Sequence, residues 1–211
     1  MREAIESDGV FVVPEYISGD PLKKLHDEVY GKCSNEAGHY EFGRNYRGPA
    51  LSSFPKKSAI SQSYDSSWMK NLYTQYSGNR KGYGRNVFAT HDYKFTGTLA
   101  RNGWLHFDRI WAFKFFIYLT DIDQSCGAFH CSVGSHKKGK ELRKKAWRTK
   151  SYDSVKNRIE LNYPDLLEVY PSLPVEAAAG SLIVFDTDTF HKGGQVLENK
   201  ERLVVRLHCG V

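Results

Sequence analysis

Trp104-Leu105-His106-Phe107-Asp108 is the stretch of sequence that most directly indicates the fold. We expect it to form a strand, and alternate side chains of a strand project from the same face. His106 and Asp108 would then lie side by side and could bind one metal ion together. A third ligand is expected from a distant strand, because His191 follows the apolar run Leu182-Ile183-Val184-Phe185.

Two imidazoles and one carboxylate on one side of a metal form the facial triad that binds non-haem iron(II) and leaves coordination positions open. Spacing alone leaves a second interpretation open, since a histidine is more often an ordinary core or surface residue. Five other histidines lack a matching partner pattern and are interpreted in that way, namely His26, His39, His91, His130 and His136.

The order of the predicted elements favours an all-β core with flanking helices. A strand is expected at Val10–Val13, and helices are expected from Asp20 to Gly31 and from Ser66 or Ser67 to Gly78. Many short strands with glycine turns follow, interrupted by a helix expected between Ser151 and Pro164. The pattern indicates an antiparallel barrel or jelly roll with its helices packed outside.

Length and composition indicate an ordinary globular protein. The 211 residues predict one domain, residues 1–211, and 40% are hydrophobic. The N-terminus lacks the apolar core of a signal peptide and no apolar run approaches membrane-spanning length, so we expect a cytoplasmic protein without a membrane segment. The four cysteines form no CxxC pair and are interpreted as free thiols.

The positive charge is concentrated in one segment. Residues 137–150 contain eight lysines and arginines and one acid, Glu141, an excess of +7 that exceeds the net charge of +6 for the whole chain. The rest of the chain therefore carries −1, and we expect no nucleic-acid partner. The basic segment is either a solvated face or a surface that recruits a phosphorylated substrate, an acidic carrier protein or a nucleotide-linked group.

Five sequence blocks occur in a characteristic order. They are Asp8-Gly9-Val10-Phe11-Val12-Val13-Pro14, Trp104 to Arg109, Phe116 to Ile122 with Gly127-Ala128-Phe129, Val133-Gly134-Ser135-His136-Lys137, and Gly180 to Asp186 with His191-Lys192-Gly193-Gly194. Together they resemble the phytanoyl-CoA dioxygenase family of Fe(II)- and 2-oxoglutarate-dependent oxygenases. The chain departs from the family pattern at three positions that bear on co-substrate contacts, Cys126, Val133 and Gly193.

The resemblance implies a double-stranded β-helix, a jelly-roll or cupin-like barrel, and it assigns roles to residues. His106, Asp108 and His191 would bind Fe(II). The keto acid end of 2-oxoglutarate would take two further positions, O2 would take the last, and Arg202, eleven residues beyond His191, would bind the far carboxylate. Because Asp108 fills the position that related halogenases leave for halide, hydroxylation or desaturation is the expected outcome.

Lys114 is the one charge inside the apolar run 111–119. A buried unpaired lysine is costly. Its side chain therefore either points to the pocket, where it could bind a carboxylate of 2-oxoglutarate or of the substrate, or lies at a strand edge.

Arg206 and Arg109 are candidate substrate-binding residues. On the last strand Arg206 and His208 share a face with Arg202, so they face the pocket if Arg202 does. Surplus positive charge there would suit an anionic or strongly polar substrate. The alternative is an Arg206 that forms a salt bridge at the far end of the barrel.

The sequence thus predicts an Fe(II)- and 2-oxoglutarate-dependent dioxygenase that hydroxylates an unactivated C–H bond of a small polar or anionic molecule, free or carrier-linked, and releases succinate and CO2. The alternative is a cupin-like metal- or carbohydrate-binding barrel without oxygenase activity, which would not need Arg202. The sequence leaves the oligomeric state open.

Overall fold

The fold was analysed in a computed structural model of the chain. It describes residues 1–35, 39–41, 44–47, 50–51, 58–78, 83, 86–95, 103–148 and 157–210. The helices are α1 Arg2–Asp8, α2 Gly19–Ser34, α3 Ala59–Ser63, α4 Ser67–Ser77, α5 His136–Arg148, α6 Ile159–Asn162 and α7 Leu166–Val169. The strands are β1 Val10–Val13, β2 His39–Glu41, β3 Arg44–Arg47, β4 Ala50–Leu51, β5 Asn86–Phe95, β6 Phe113–Tyr118, β7 Phe129–Cys131, β8 Leu173–Val175, β9 Leu182–Asp186, β10 His191–Lys192 and β11 Arg202–Cys209.

Two antiparallel sheets form the core. The larger has the strand order β1-β9-β6-β11-β5-β3-β2, with β4 also paired to β5, and the smaller has the order β10-β7-β8. Except for β2 and β3, neighbouring strands in both sheets are far apart in sequence, as in a jelly roll. The predicted all-β core with flanking helices is confirmed. No helix in the described part of the chain is long and apolar enough to cross a membrane.

Both faces of the central strands are covered, which explains why β6 and β9 are apolar at almost every position. One face packs against α1 to α4, and its strand residues include Phe113, Phe115, Val184 and Val205. The opposite face points into the barrel. Its buried residues include Phe116, Tyr118, Phe129, Ile183, Phe185 and Val204.

The structure corrects several predicted elements. Residues 104–108 do not form a strand, because among them only His106 forms β-bridges, while the Leu105 N–H donates to a carboxylate oxygen of Glu160 at 2.7 Å instead of to a neighbouring strand. Helix α2 begins at Gly19 after the N-cap Ser18, whereas the sequence predicts Asp20 as the N-cap and Pro21 as the first helical residue. Where the alternation predicts two strands, at Asn86 to Thr90 and at Tyr93 to Leu99, the described residues form one strand, β5.

Four helices were not predicted, namely α1, α3, α5 and α7. Helix α5 contains most of the basic segment. It has too few apolar residues among its charges to show a helical period in the sequence. The helix expected from Ser151 is described only from residue 157 onward, where α6 is found, and its first part lies outside the described residues. The four cysteines are buried and form no disulfide, so the prediction of free thiols is confirmed.

Gly139 allows α5 to pack against the segment that precedes β10. A Cβ atom at this position would lie 1.8 Å from the carbonyl oxygen of Asp188. We expect Gly139→Ala to lower the free energy of unfolding by about 1–3 kcal/mol, because α5 would have to move away. Gly31→Ala in α2 is the matched control, since a Cβ there meets nothing within 4 Å and should raise stability by about 0.5–1 kcal/mol. Urea unfolding measures both, and equal effects of the two changes would contradict the packing argument.

Candidate active site

A short antiparallel pairing brings the three predicted ligands together. The His106 N–H donates to the His191 carbonyl at 2.9 Å, and the His191 N–H donates to the His106 carbonyl at 2.8 Å. The Asp108 N–H donates to the Thr187 carbonyl at 2.9 Å. The loop 104–108 is thereby fixed against the chain between β9 and β10, and all three side chains reach one point.

The side chains form a compact group. Nε2 of His106 lies 3.6 Å and Nε2 of His191 lies 3.5 Å from Oδ1 of Asp108. The candidate ligand atoms of the three residues all lie within 4.8 Å of one another. The sequence prediction of these residues as one cluster therefore agrees with their positions in the structure.

The backbone sets the tautomer of both histidines. Nδ1 of His106 is 2.7 Å from the carbonyl oxygen of Trp104, and Nδ1 of His191 is 2.7 Å from that of Thr189. A carbonyl only accepts, so in the neutral ring Nδ1 carries the hydrogen and Nε2 presents its lone pair towards Asp108. Two such nitrogens and a carboxylate oxygen suit a divalent transition metal.

The protonation states of Asp108 and His191 also suit metal binding. Burial alone would raise the pKa of Asp108, but the adjacent Lys114 ammonium holds that pKa well below its usual range. Burial and the neighbouring His106 lower the pKa of His191 to about 4. At neutral pH the carboxylate is ionised and the His191 imidazole is neutral, the forms that bind metal ions.

Lys114 points into the barrel beside the cluster. Its Nζ lies 2.6 Å from Oδ2 of Asp108, and only 12% of its side chain is exposed. The contact leaves Oδ1 of Asp108 facing the histidines. Of the two alternatives for Lys114, the geometry agrees with the pocket and not with the strand edge.

The predicted co-substrate arginine already has partners. Nε and Nη2 of Arg202 lie 3.1 and 3.0 Å from Oδ2 of Asp92, and Nη1 donates to the Gly127 carbonyl. Arg206 faces the same interior, with its guanidinium 5.3 Å from the centre of the Phe116 ring and Nη2 3.9 Å from the same oxygen of Asp92. Arg109, beside Asp108, is exposed.

His208 also faces the interior, as the alternation along β11 predicts. The register of β11 runs without a bulge from Arg202 opposite Asp92 to His208 opposite Asn86. Burial, Lys114 and Arg206 lower the pKa of His208 to about 3, so the ring is neutral. Among the described residues its buried Nε2 has no hydrogen-bond partner.

A second network, which sequence reasoning missed, supports the chain before His191. Asp186 accepts hydrogen bonds from the Tyr76 hydroxyl at 2.7 Å and the Trp111 indole N–H at 2.9 Å. Asp188, 1% exposed, accepts two from Arg143 at 2.5 and 2.8 Å. The sequence did contain a signal for this network, since two acids lie within five residues of a ligand histidine. Acids at the buried end of a strand need hydrogen-bond donors.

The basic segment is divided between a buried and an exposed side of α5. Arg143 is turned inward to Asp188, whereas Lys137, Lys140, Lys144 and Lys145 are exposed. The segment is therefore not a uniform surface charge. Whether its exposed face recruits an anionic group stays a prediction.

Solved structures with the same architecture share a class of chemistry. The epimerase SnoN from nogalamycin biosynthesis, solved with Fe3+, alpha ketoglutarate and nogalamycin RO, is 14% identical, with a TM-score of 0.69 over 98% of this chain and 80% of that one. HygX from Streptomyces hygroscopicus, with nickel, 2-oxoglutarate and hygromycin B, is 15% identical, with a TM-score of 0.60 over 99% and 86%. EctD from S. alaskensis, with 2-oxoglutarate and 5-hydroxyectoine, is 12% identical, with a TM-score of 0.66 over 98% and 73%. The fold is that of the jelly-roll 2-oxoglutarate-dependent enzymes.

The family follows from the sequence match. The model of the phytanoyl-CoA dioxygenase family (PhyH) matches residues 59–204, well over half of the chain, and the chain belongs to this family. No curated protein sequence matches the chain. Members of the family use Fe(II), 2-oxoglutarate and O2, which confirms the predicted cofactors.

Asp186 should make the stability of the protein depend on pH. Burial and the neighbouring Asp188 raise its pKa from 3.8 to about 6. The folded state therefore favours the protonated acid, and stability falls as the pH rises from about 4 to above 6. We expect the difference in free energy of unfolding between the wild type and Asp186→Asn to decrease by roughly 3 kcal/mol over this interval. Urea unfolding at several pH values tests this, and parallel curves for the two proteins would contradict it.

Lys114→Met should weaken binding of 2-oxoglutarate by about tenfold or more, because a hydrogen bond to a charged group contributes roughly 1.5–3 kcal/mol. Separate anaerobic titrations with Fe(II) and with 2-oxoglutarate measure the effect. A change in the Fe(II) constant alone would limit Lys114 to orienting Asp108. If neither constant changed, Lys114 would have no functional role.

Proposed function

We propose that the protein is an Fe(II)- and 2-oxoglutarate-dependent dioxygenase that hydroxylates an unactivated C–H bond of a small polar or anionic molecule. The observation that carries the proposal is the cluster of His106, Asp108 and His191, with both Nε2 lone pairs directed at one carboxylate oxygen. When bound there, Fe(II) and O2 would supply the oxidising power, with 2-oxoglutarate converted to succinate and CO2.

Residues around the cluster would position the reactants. Lys114 binds Oδ2 of Asp108 and has further N–H groups that could donate to a carboxylate at the metal. Phe129 and Phe185 pack 4.6 Å apart and lie 5.8 and 5.2 Å from the His191 ring, measured between ring centres. This aromatic wall would exclude water from one side of the site and limit side reactions of the oxidant.

The charges of the interior favour an anionic or strongly polar substrate. Among its described side chains, Lys114, Arg202 and Arg206 are positive and only Asp92 and Asp108 are negative. Arg109, which is exposed and follows Asp108 in sequence, is the second candidate for substrate contact. The substrate would be a small molecule, free or carrier-linked.

Three other expectations stay predictions: a single domain over residues 1–211, a cytoplasmic location and the absence of a nucleic-acid partner.

Epimerisation is the second outcome that an observation favours, because the similar structure SnoN is an alpha ketoglutarate dependent epimerase. Both outcomes begin with removal of a hydrogen atom from carbon and differ in what is returned to it. Asp108 fills the position that related halogenases leave for halide, which argues against halogenation and not against epimerisation. Hydroxylation is preferred because it is the outcome that the family resemblance implies.

Anaerobic titration of the metal-free protein with Fe(II) and 2-oxoglutarate tests the proposed function. We expect a metal-to-ligand charge-transfer absorption band in the wild type and its loss in Asp108→Ala. Asp65→Ala, which removes an exposed carboxylate paired with Lys70, is the control and should keep the band. A barrel that binds metal without oxygenase activity would give neither the band nor succinate on exposure to O2. Mass spectrometry of products from a substrate screen would separate hydroxylation from epimerisation.

A further inference from the structure

The peptide group between Trp104 and Leu105 forms hydrogen bonds at both of its ends. Its carbonyl oxygen, on Trp104, lies 2.7 Å from Nδ1 of His106. Its N–H, on Leu105, donates to Oε2 of Glu160 at 2.7 Å. Because a peptide group is planar, a carboxylate that fixes the direction of the N–H also fixes the direction of the carbonyl. The Glu160 carboxylate is thereby linked to the His106 ring through a single peptide group.

The other candidate ligand histidine has the same kind of support without a charge. Nδ1 of His191 lies 2.7 Å from the Thr189 carbonyl oxygen. The N–H of that same peptide group, on Phe190, donates to Oγ of Ser135 at 2.8 Å. Both imidazoles are therefore held through a peptide group whose N–H is itself bound to a side chain. The two differ in charge, since a hydroxyl lies behind His191 and a carboxylate lies behind His106.

Further contacts hold Glu160 against the loop 104–108. Its Oε1 lies 3.3 Å from Nζ of Lys192 on β10. The Ile159 N–H donates to the Leu105 carbonyl at 2.8 Å, so both sides of Leu105 are bound to the start of α6. The side chains of Leu105 and Ile159 are fully buried in one hydrophobic cluster. The position of the carboxylate is therefore set by the packing of α6.

The two hydrogen-bond partners of Glu160 differ in their exposure to water. The side chains of Lys192 and Glu160 are 26% and 24% exposed, so water weakens this ion pair. Leu105 is 0% exposed, and its N–H has no access to water in place of the carboxylate. The contact with Leu105 is therefore the one that the loop depends on, because a buried N–H without an acceptor is costly.

A carboxylate behind this peptide group has two effects on His106. Hydrogen bonds to an ionised group are about twice as strong as neutral ones, so the peptide plane is held more firmly than a hydroxyl would hold it. The negative charge also polarises the peptide group, because hydrogen bonds in a chain reinforce one another. A more negative carbonyl oxygen holds the proton on Nδ1 and makes Nε2 of His106 a stronger ligand.

We propose that Glu160 is a positioning residue of the metal site, which orients His106 and strengthens it as a ligand through the Trp104–Leu105 peptide group. The inference rests on the proposed function in one respect, namely that His106 binds the metal ion. It assigns to α6 a role in metal affinity, although Glu160 is 54 residues from His106 in sequence.

Co(II) binding to the metal-free protein tests the proposal without turnover, because the visible absorption of Co(II) reports its ligands. We expect Glu160→Ala to weaken Co(II) binding by about 10–100-fold, as loss of a partner of a ligating histidine does. Glu160→Gln keeps an acceptor for the Leu105 N–H without the charge and should give an intermediate dissociation constant. Glu168→Ala removes an exposed carboxylate from α7 and is the matched control, which should bind Co(II) as the wild type does.

The His106→Ala background separates positioning from general structural support. If Glu160 acts through His106, Glu160→Ala should change the Co(II) dissociation constant by less than about twofold once the imidazole is absent. The visible spectrum of Co(II) bound to the Glu160→Ala single variant should also move towards that of His106→Ala. A merely structural role would weaken binding by the same factor in both backgrounds.

The proton on Nδ1 of His106 provides a second readout that needs no metal. In NMR spectra of the metal-free protein we expect Glu160→Gln to move the Nδ1–H resonance of His106 upfield, because the carbonyl becomes a weaker acceptor. The Nδ1–H resonance of His191 should not move. This measurement uses only the conservative variant, so it decides the question even if Glu160→Ala does not fold.

Three results would overturn the inference. They are a folded Glu160→Ala that binds Co(II) as the wild type does, an equal loss of affinity in both backgrounds, and an unchanged His106 resonance in Glu160→Gln. Failure of the proposed function looks different, since His106→Ala itself would then leave Co(II) binding unchanged.

Discussion

The reciprocal backbone hydrogen bonds between His106 and His191 are the constraint on which the candidate site depends. They join an irregular loop to a strand 85 residues later in the chain, and each histidine satisfies the peptide group of the other. Because the same two residues direct their Nε2 atoms at Asp108, backbone pairing and ligand geometry are determined together. A shift of this pairing by one residue would turn one imidazole away from the cluster.

Three buried or half-buried ion pairs connect elements of the fold. Asp108 is paired with Lys114, Asp92 with Arg202 and Asp188 with Arg143, and each pair joins different elements of the fold. Removing one member of a buried pair leaves an uncompensated charge and typically costs about 3–5 kcal/mol. These buried charged residues therefore hold elements of the fold in place in addition to any role in binding.

Much of the fold and the triad could be predicted from the sequence. Apolar runs predicted β6 and β9, and the capping serine and Gly78 predicted α4, because these signals are local. The strand expected at 104–108 was wrong, because Glu160 satisfies the Leu105 N–H in place of a neighbouring strand. The network of Asp186, Tyr76 and Trp111 was missed for a related reason, since Tyr76 and Asp186 are 110 residues apart and no local pattern connects them.

By itself the sequence determined the family, the three candidate ligands and the face of β11 that lines the barrel, because motif spacing and strand alternation are properties of the chain. Only the tertiary structure decided the charge partners. Asp92 meets Arg202 across 110 residues, and Asp108 is held against Thr187 where it meets Lys114. Strand register sets the first pair, and the backbone hydrogen bonds of His106 and Asp108 to residues 191 and 187 position the second. Both depend on how distant segments pack and not on the residues beside each charge.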